Sequence, residues 1–190
     1  MMKKILVLML IALMLLGAVG CAKESDVPQG YKLASNPSLC DYTMYAPDTW
    51  VCESTASNYT MTAVSANDKC TVSVAKLEDV YEKTMADYWE KCKANYTFLQ
   101  NFTEVIIQTE DGPKNYEQVT LGTGDKAVSG YRYQFSGEYS GNTYRYMQVF
   151  VPVSSLLDNG LYCITYTAQA DHYDTHLDDV NGILANIFFR

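Results

Sequence analysis

Between positions 59 and 76, apolar and polar residues alternate with period two on either side of Ala66-Asn67-Asp68, the spacing of a β-hairpin. Ahead of it, residues 39–45 read as a strand. Ala46-Pro47-Asp48-Thr49 follows as a turn in which Pro47 presets φ, and residues 50–53 begin a second strand. From Thr84 the period changes. Met85, Tyr88, Trp89, Cys92, Tyr96 and Leu99 recur every three or four positions, which places them on one face of a helix, with Glu90, Lys91 and Lys93 elsewhere. Thr84 with Asp87 three residues on has the layout of an N-terminal cap.

Strand patterns resume at 103–109 and 116–121 around Asp111-Gly112-Pro113, and at 130–139 and 143–151 around Gly141-Asn142. With Gly141 and Asn142 as the loop, Tyr139 is expected opposite Tyr144 and Tyr133 opposite Phe150. Tyr131, Tyr133, Phe135, Tyr139, Tyr144, Tyr146 and Phe150 then share one aromatic face, which alternation favours as core under a helix over an exposed binding surface. Residues 161–168 are apolar or aromatic in both alternating sets, as a strand buried on both sides requires. Tyr173, Leu177, Val180, Leu184, Ile187 and Phe188 mark a C-terminal helix. The order predicts an α+β domain: a mainly antiparallel β-sheet covered by helices on both faces, an α/β/α sandwich.

The N-terminus follows a different rule. Lys3 and Lys4 precede an uncharged apolar run over residues 5–16, and Gly17-Ala18-Val19-Gly20 leads into Cys21. A basic start, an apolar centre and small residues at a cut form a secretory signal, and the run is short of the about 20 residues that span a bilayer. The small residues before Cys21 resemble the lipobox of bacterial lipoproteins, with Ala18 where Leu is usual. The resemblance implies cleavage after residue 20, acylation (palmitate) of Cys21, and a lipid-anchored position on the outer face of the bacterial cytoplasmic membrane. Residues 21–30 carry no hydrophobic pattern and read as a flexible spacer, leaving 31–190 for a single domain of ordinary size.

Charge and cysteine usage narrow the function classes. Loss of residues 1–20 takes two lysines and no acid from 14 basic and 22 acidic residues, moving the formal charge from −8 to −10. With no basic cluster to offset it, this charge argues against nucleic-acid binding. Of six cysteines, Cys21 goes to lipid, and Cys40, Cys52, Cys70, Cys92 and Cys163 form no CxxC pair. Cys92 and Cys163 sit on apolar stripes as small hydrophobes. At most one disulfide is expected, drawn from Cys40, Cys52 and Cys70.

One constellation suits a metal. His172 and His176 are the only histidines, and on a continuous helix they fall with Asp179 within about 60° of one another. Two imidazoles and a carboxylate can hold Zn²⁺ or another transition metal. The competing reading is that Asp171 or Asp174 caps the helix and the acids favour its positive end. No GxSxG, P-loop or suitably placed GxGxxG pattern points to an enzyme.

Two stretches carry a family resemblance. Asp41-Tyr42-Thr43-Met44-Tyr45-Ala46-Pro47-Asp48-Thr49-Trp50 is similar to the F-x-x-x-Y-P-x-x-W entry strand of PsbP-like domains. Tyr162-Cys163-Ile164-Thr165-Tyr166-Thr167-Ala168, Tyr173-Asp174 and Ile183-Leu184-Ala185-Asn186-Ile187-Phe188 resemble their closing strand and helix. PsbP-like domains, and the related DcrB-like bacterial lipoproteins, imply a sandwich fold and accessory roles in protein or membrane complexes. They supply no shared catalytic set, and Trp50, Tyr166 and Phe188 become apolar anchors. The expectation is a non-catalytic, membrane-tethered domain that binds a protein partner; the alternatives are a small-ligand or metal-binding lipoprotein and an envelope hydrolase.

Overall fold

The structure, a computed structural model, describes residues 27–55, 61–77, 80, 84–154 and 159–190. The segment expected to act as a secretory signal, and Cys21, lie outside the described residues. Among the described residues, a main sheet, a three-stranded sheet, a two-stranded hairpin and two α-helices build the domain. Strands β1 (Tyr31–Leu33) and β2 (Tyr42–Pro47) belong to a small sheet. Strands β3 (Val51–Thr55), β4 (Met61–Ser65) and β5 (Thr71–Leu77) precede helix α1 (Met85–Ala94). Then come β6 (Gln100–Glu104), the small hairpin β7 (Ile107–Thr109) and β8 (Gly112–Lys114), β9 (Tyr116–Leu121), β10 (Val128–Tyr139), β11 (Asn142–Ser154) and β12 (Asn159–Gln169). Helix α2 (Leu177–Ala185) and strand β13 (Ile187–Phe189) close the chain.

The main sheet runs β3-β4-β5-β12-β11-β10-β6, with β9 also paired to β10, and the small sheet runs β1-β2-β13. Every pairing is antiparallel. β12 lies between β5 and β11, as its two-sided apolar pattern demands. Its alternation divides the core in two: Leu161 and Cys163 join one cluster, and Tyr162, Ile164, Tyr166 and Ala168 the other. The first cluster takes Trp89 from α1 with Tyr133, Phe135 and Phe150. The second takes Val180, Ile183 and Leu184 from α2 with Tyr42, Met44 and Ile187 of the small sheet. Trp50 and Tyr166 are buried there, whereas Phe188 on β13 stays half-buried.

Helices covering both faces is therefore an overstatement. Ten and nine residues give helices about 15 Å long at 1.5 Å per residue. Strands spaced about 4.8 Å apart make the main sheet, seven strands across because β6 and β9 share one edge of β10, about 29 Å wide. On one face the small sheet does much of the covering, and on the other the aromatic side chains of the sheet pack largely on one another.

Three further expectations shift. The hairpin loop is Ser140-Gly141, not Gly141-Asn142: both residues have positive φ, 51° and 79°, the requirement of a tight I′ turn. Tyr139 thus pairs with Asn142, Tyr133 with Gln148 and Tyr131 with Phe150. Because the slip is two residues, the aromatic face is preserved. The C-terminal helix is preceded by a 3₁₀ turn over Tyr173–His176 and stops at Ala185. There the Asn186 backbone N–H reaches the carbonyls of Gly182 and Ile183, and Ile187 pairs with Met44 in the small sheet. The strand expected over 103–109 breaks after Glu104, and β7 turns back on β8 instead.

Helix α1 starts as its pattern predicts, with the Thr84 hydroxyl accepting from the Asp87 backbone N–H at 3.1 Å, but it ends at Ala94, so Tyr96 and Leu99 of the expected stripe lie beyond it. Its attachment to the sheet runs through Glu104, whose carboxylate accepts from Trp89 Nε1 (2.6 Å), Asn115 Nδ2 (2.9 Å) and Lys93 Nζ (3.0 Å). Burial works against the Glu104 charge, but these three donors outweigh it and hold the carboxyl below the usual value of 4.5. A depressed folded-state pKa stabilises the fold above the unfolded pKa and stops doing so as pH falls through the folded value. Between pH 5 and 3 the urea midpoint of the native protein is expected to fall more steeply than that of Glu104→Gln. Parallel curves would show that the carboxylate does not hold the helix.

Candidate functional site

The turn joining β4 to β5 is fixed by Ala66 and Cys70, whose backbones bond at 2.9 Å, with Lys69 at φ 68°. Asp68 lies within it, and one carboxylate oxygen accepts from the Cys70 backbone N–H at 3.3 Å. The partner segment is the 3₁₀ turn before α2. The buried Tyr166 hydroxyl donates to the Tyr173 carbonyl at 2.8 Å, and the Tyr173 hydroxyl donates to Gln134 Oε1 at 3.2 Å. These bonds seat the turn on the sheet with His176 above the β4–β5 turn.

His176 is held on every side. Its Nε2 lies 2.7 Å from Asp68 Oδ2 and its Nδ1 3.3 Å from Asp179 Oδ2. Trp50 Nε1 donates to that same Asp179 oxygen at 3.1 Å, and the Trp50 ring meets the imidazole edge-on with centroids 5.6 Å apart. Burial disfavours the charged imidazole, but the bonds to Asp68 and Asp179 outweigh it and raise the His176 pKa above 6.5. Burial likewise opposes the Asp68 charge, and the bonds from His176 and Cys70 outweigh it and lower that carboxyl below 3.8. A carboxylate facing each ring nitrogen is the setting of a doubly protonated ring.

Cys70 is buried beside this group. Its thiol points at the His172 carbonyl, 4.0 Å away, and burial pushes its pKa to about 11. The donor atoms of Asp68, Cys70 and His176 all lie within 4.8 Å of one another. A cleft of about 180 Å³ opens on Asp68 and His176, with Trp50, Asn67 and Asp179 also lining it.

The sequence placed His172, His176 and Asp179 together as one candidate trio, and the structure arranges them differently. His176 and Asp179 do meet, but through the ring nitrogen that faces away from Asp68. His172 is off α2 and half-exposed, with Nδ1 3.8 Å from Asp68 Oδ2 and Nε2 3.8 Å from Asp171. The residue that faces both histidines is Asp68, which the sequence reading took only as part of a turn. The sole local sign of it was the Asp68-x-Cys70 spacing.

The disulfide expected among Cys40, Cys52 and Cys70 does not form, because every such pair needs Cys52 or Cys70 and both are free thiols. The aromatic face is core where it faces α1: Tyr133, Phe135 and Phe150 are fully buried. At the end of the hairpin, however, Tyr139 and Phe98 stay more than half exposed and touch each other edge-on at 6.0 Å.

No family model matches this chain, and no curated protein does either. Among solved structures, one similar protein comes from Bacteroides thetaiotaomicron, with a TM-score of 0.52 and 12% identity over 86% of this chain. This chain spans about half of that protein, 49% of its length, and at this identity the likeness is one of fold. Cyanobacterial PsbP from Synechocystis aligns over 92% of this chain and 99% of its own at 11% identity and TM-score 0.46. LpqN of Mycobacterium tuberculosis, described as involved in cell envelope biogenesis, aligns over 85% and 79% at 16% identity and TM-score 0.41. A PsbP protein is thus among the structural neighbours.

Proposed function

We propose that this chain is an exported PsbP-like lipoprotein, acylated on Cys21, whose single domain binds a protein partner or assists an envelope complex beside the membrane. The observation that carries the reading is the run of small residues from Gly17 into Cys21, behind a basic start and an apolar centre. The first strand among the described residues, β1, starts ten residues on, at Tyr31. Ten spacer residues reach at most about 35 Å when fully extended, so the domain works within a short distance of the bilayer. No helix among the described residues is long and apolar enough to cross a membrane, and the anchor in this reading is lipid. The exposed Phe98 and Tyr139 pair supports a protein partner, since rigid aromatic side chains are enriched in interface cores.

Labelling cells with radioactive palmitate tests the anchor. The native chain is expected to take up label and sediment with membranes. Cys21→Ser is expected to lose the label and to stay at the precursor size. Equal labelling of the two, or a native chain found free in the medium, would refute the assignment. For the partner, crosslinking in intact cells should yield an adduct that Phe98→Asp with Tyr139→Asp removes.

A further inference from the structure

We propose that Asp68, Cys70 and His176 form a binding site for a borderline divalent transition metal of the zinc class, with the half-exposed His172 ring as the fourth protein ligand. The proposal is independent of the lipid anchor, because it rests on the arrangement around the β4–β5 turn alone.

Ligand chemistry comes first. A thiolate, imidazole nitrogens and a carboxylate oxygen are the donors that Zn²⁺ takes in tetrahedral sites, at about 2.0–2.3 Å each. Ligands at such distances lie within about 4 Å of one another, and Asp68, Cys70 and His176 already gather their donor atoms inside 4.8 Å. Small side-chain adjustments close the remainder. His172 Nδ1 stands 3.8 Å from Asp68 Oδ2, and its partly exposed ring is free to turn. The ligands come from two short segments, Asp68-x-Cys70 in a tight hairpin turn and His172-x₃-His176 across a 3₁₀ turn. Both are fastened by backbone and buried hydroxyl bonds.

The second observation lies behind the ligands. Histidines that bind metals place their other nitrogen against a carboxylate, which fixes the ring and strengthens it as a ligand. With Nε2 on the metal side, His176 presents Nδ1 to Asp179 at 3.3 Å, and Asp179 is itself held by Trp50 Nε1 at 3.1 Å. Three layers, ligand, carboxylate and buried indole, thus line up behind one nitrogen. The 180 Å³ cleft reaches two of the ligands, Asp68 and His176, from solvent. On binding, the metal replaces protons: the Cys70 thiol and the His176 Nε2 each release one to solvent as their bonds to the ion form. No oxidant or further reactant is needed.

The test titrates the full chain, solubilised in detergent under reducing conditions, with Zn²⁺ by calorimetry and with Co²⁺ by absorption. One saturable equivalent is expected, together with a thiolate-to-cobalt charge-transfer band in the near ultraviolet. Cys70→Ala should abolish that band and weaken Zn²⁺ binding at least about tenfold. His176→Gln and His172→Gln should each weaken it about tenfold with the band retained. Asp179→Asn, a positioning change, should cost about 10–100-fold in affinity. Asp68→Asn provides a ligand deletion that removes no buried volume, should Cys70→Ala not fold by circular dichroism. Absence of a saturable Zn²⁺ heat overturns the proposal. So does a cobalt spectrum without the thiolate band, or an affinity unmoved in any of these ligand variants.

Discussion

Trp89→Ala is expected to lower the stability of the domain by about 3–5 kcal/mol, the range for deleting a large buried aromatic. Trp89 is fully buried, stacks on Tyr133 at 4.4 Å and meets Phe135 at 5.5 Å and Phe150 at 6.3 Å. It is the buried residue of α1, and its indole N–H donates to Glu104 Oε1 at 2.6 Å. Alanine therefore opens a cavity among aromatic rings and leaves a half-buried carboxylate short of a donor. Trp89→Phe keeps most of the ring contact and loses the hydrogen bond, for which about 1–3 kcal/mol is expected. Urea unfolding with an unchanged slope checks both values. A loss below about 1 kcal/mol for the alanine variant would show that α1 does not rely on this contact.

On the other face, Trp50→Ala is expected to have an effect of the same size, about 3–5 kcal/mol, for a partly different reason. Trp50 is also fully buried, but its ring lies edge-on to His176 and its N–H holds Asp179. Removing it deletes core volume and releases the carboxylate that orients the imidazole. Trp50→Phe separates the two effects, since it retains the volume and drops the donor. The two tryptophans belong to separate clusters on opposite faces of the sheet, so their losses should add within about 0.5 kcal/mol. A coupling beyond about 1 kcal/mol would mean that the sheet transmits strain between its faces.

Much of this architecture was legible because it depends on local periodicity. The stripe Met85, Tyr88, Trp89 and Cys92 specified α1 and its buried face, and Thr84 with Asp87 specified its start. The two-sided apolar pattern of 161–168 placed β12 at the centre of the sheet. Where backbone conformation decides, the pattern was silent. Ser140 in the left-handed region moved the hairpin loop by one residue, because Gly-Asn and Ser-Gly are both acceptable turn dipeptides. At the C-terminus, Ile187 and Phe188 continue a helical spacing, yet pairing with β2 satisfies their backbone groups better than another helical turn, and a strand results.

The site was legible only in half. His176 and Asp179, three residues apart, are readable as one face of a helix. Asp68 meets His176 across 108 positions of sequence, a distance at which spacing carries no information. Only the pairing of β5 with β12, and of the 3₁₀ turn with the sheet beneath it, brings them together. The tyrosine count was equally ambiguous from composition. Sixteen tyrosines serve both as core and as surface, and it is packing against α1 that separates Tyr133 from Tyr139.

The small sheet sets an order of events during biogenesis. β2 is flanked by β1 on one side and β13 on the other, and Arg190 reaches back to the Asp41 carbonyl and, across 147 positions, to Thr43. Contacts so distant in sequence form late, since the intervening chain must first be confined. Before residues 187–189 are in place, one edge of β2 is unpaired and Met44 lacks its cross-strand partner Ile187. The small sheet therefore closes only after β13 has docked, however much of the main sheet has already paired.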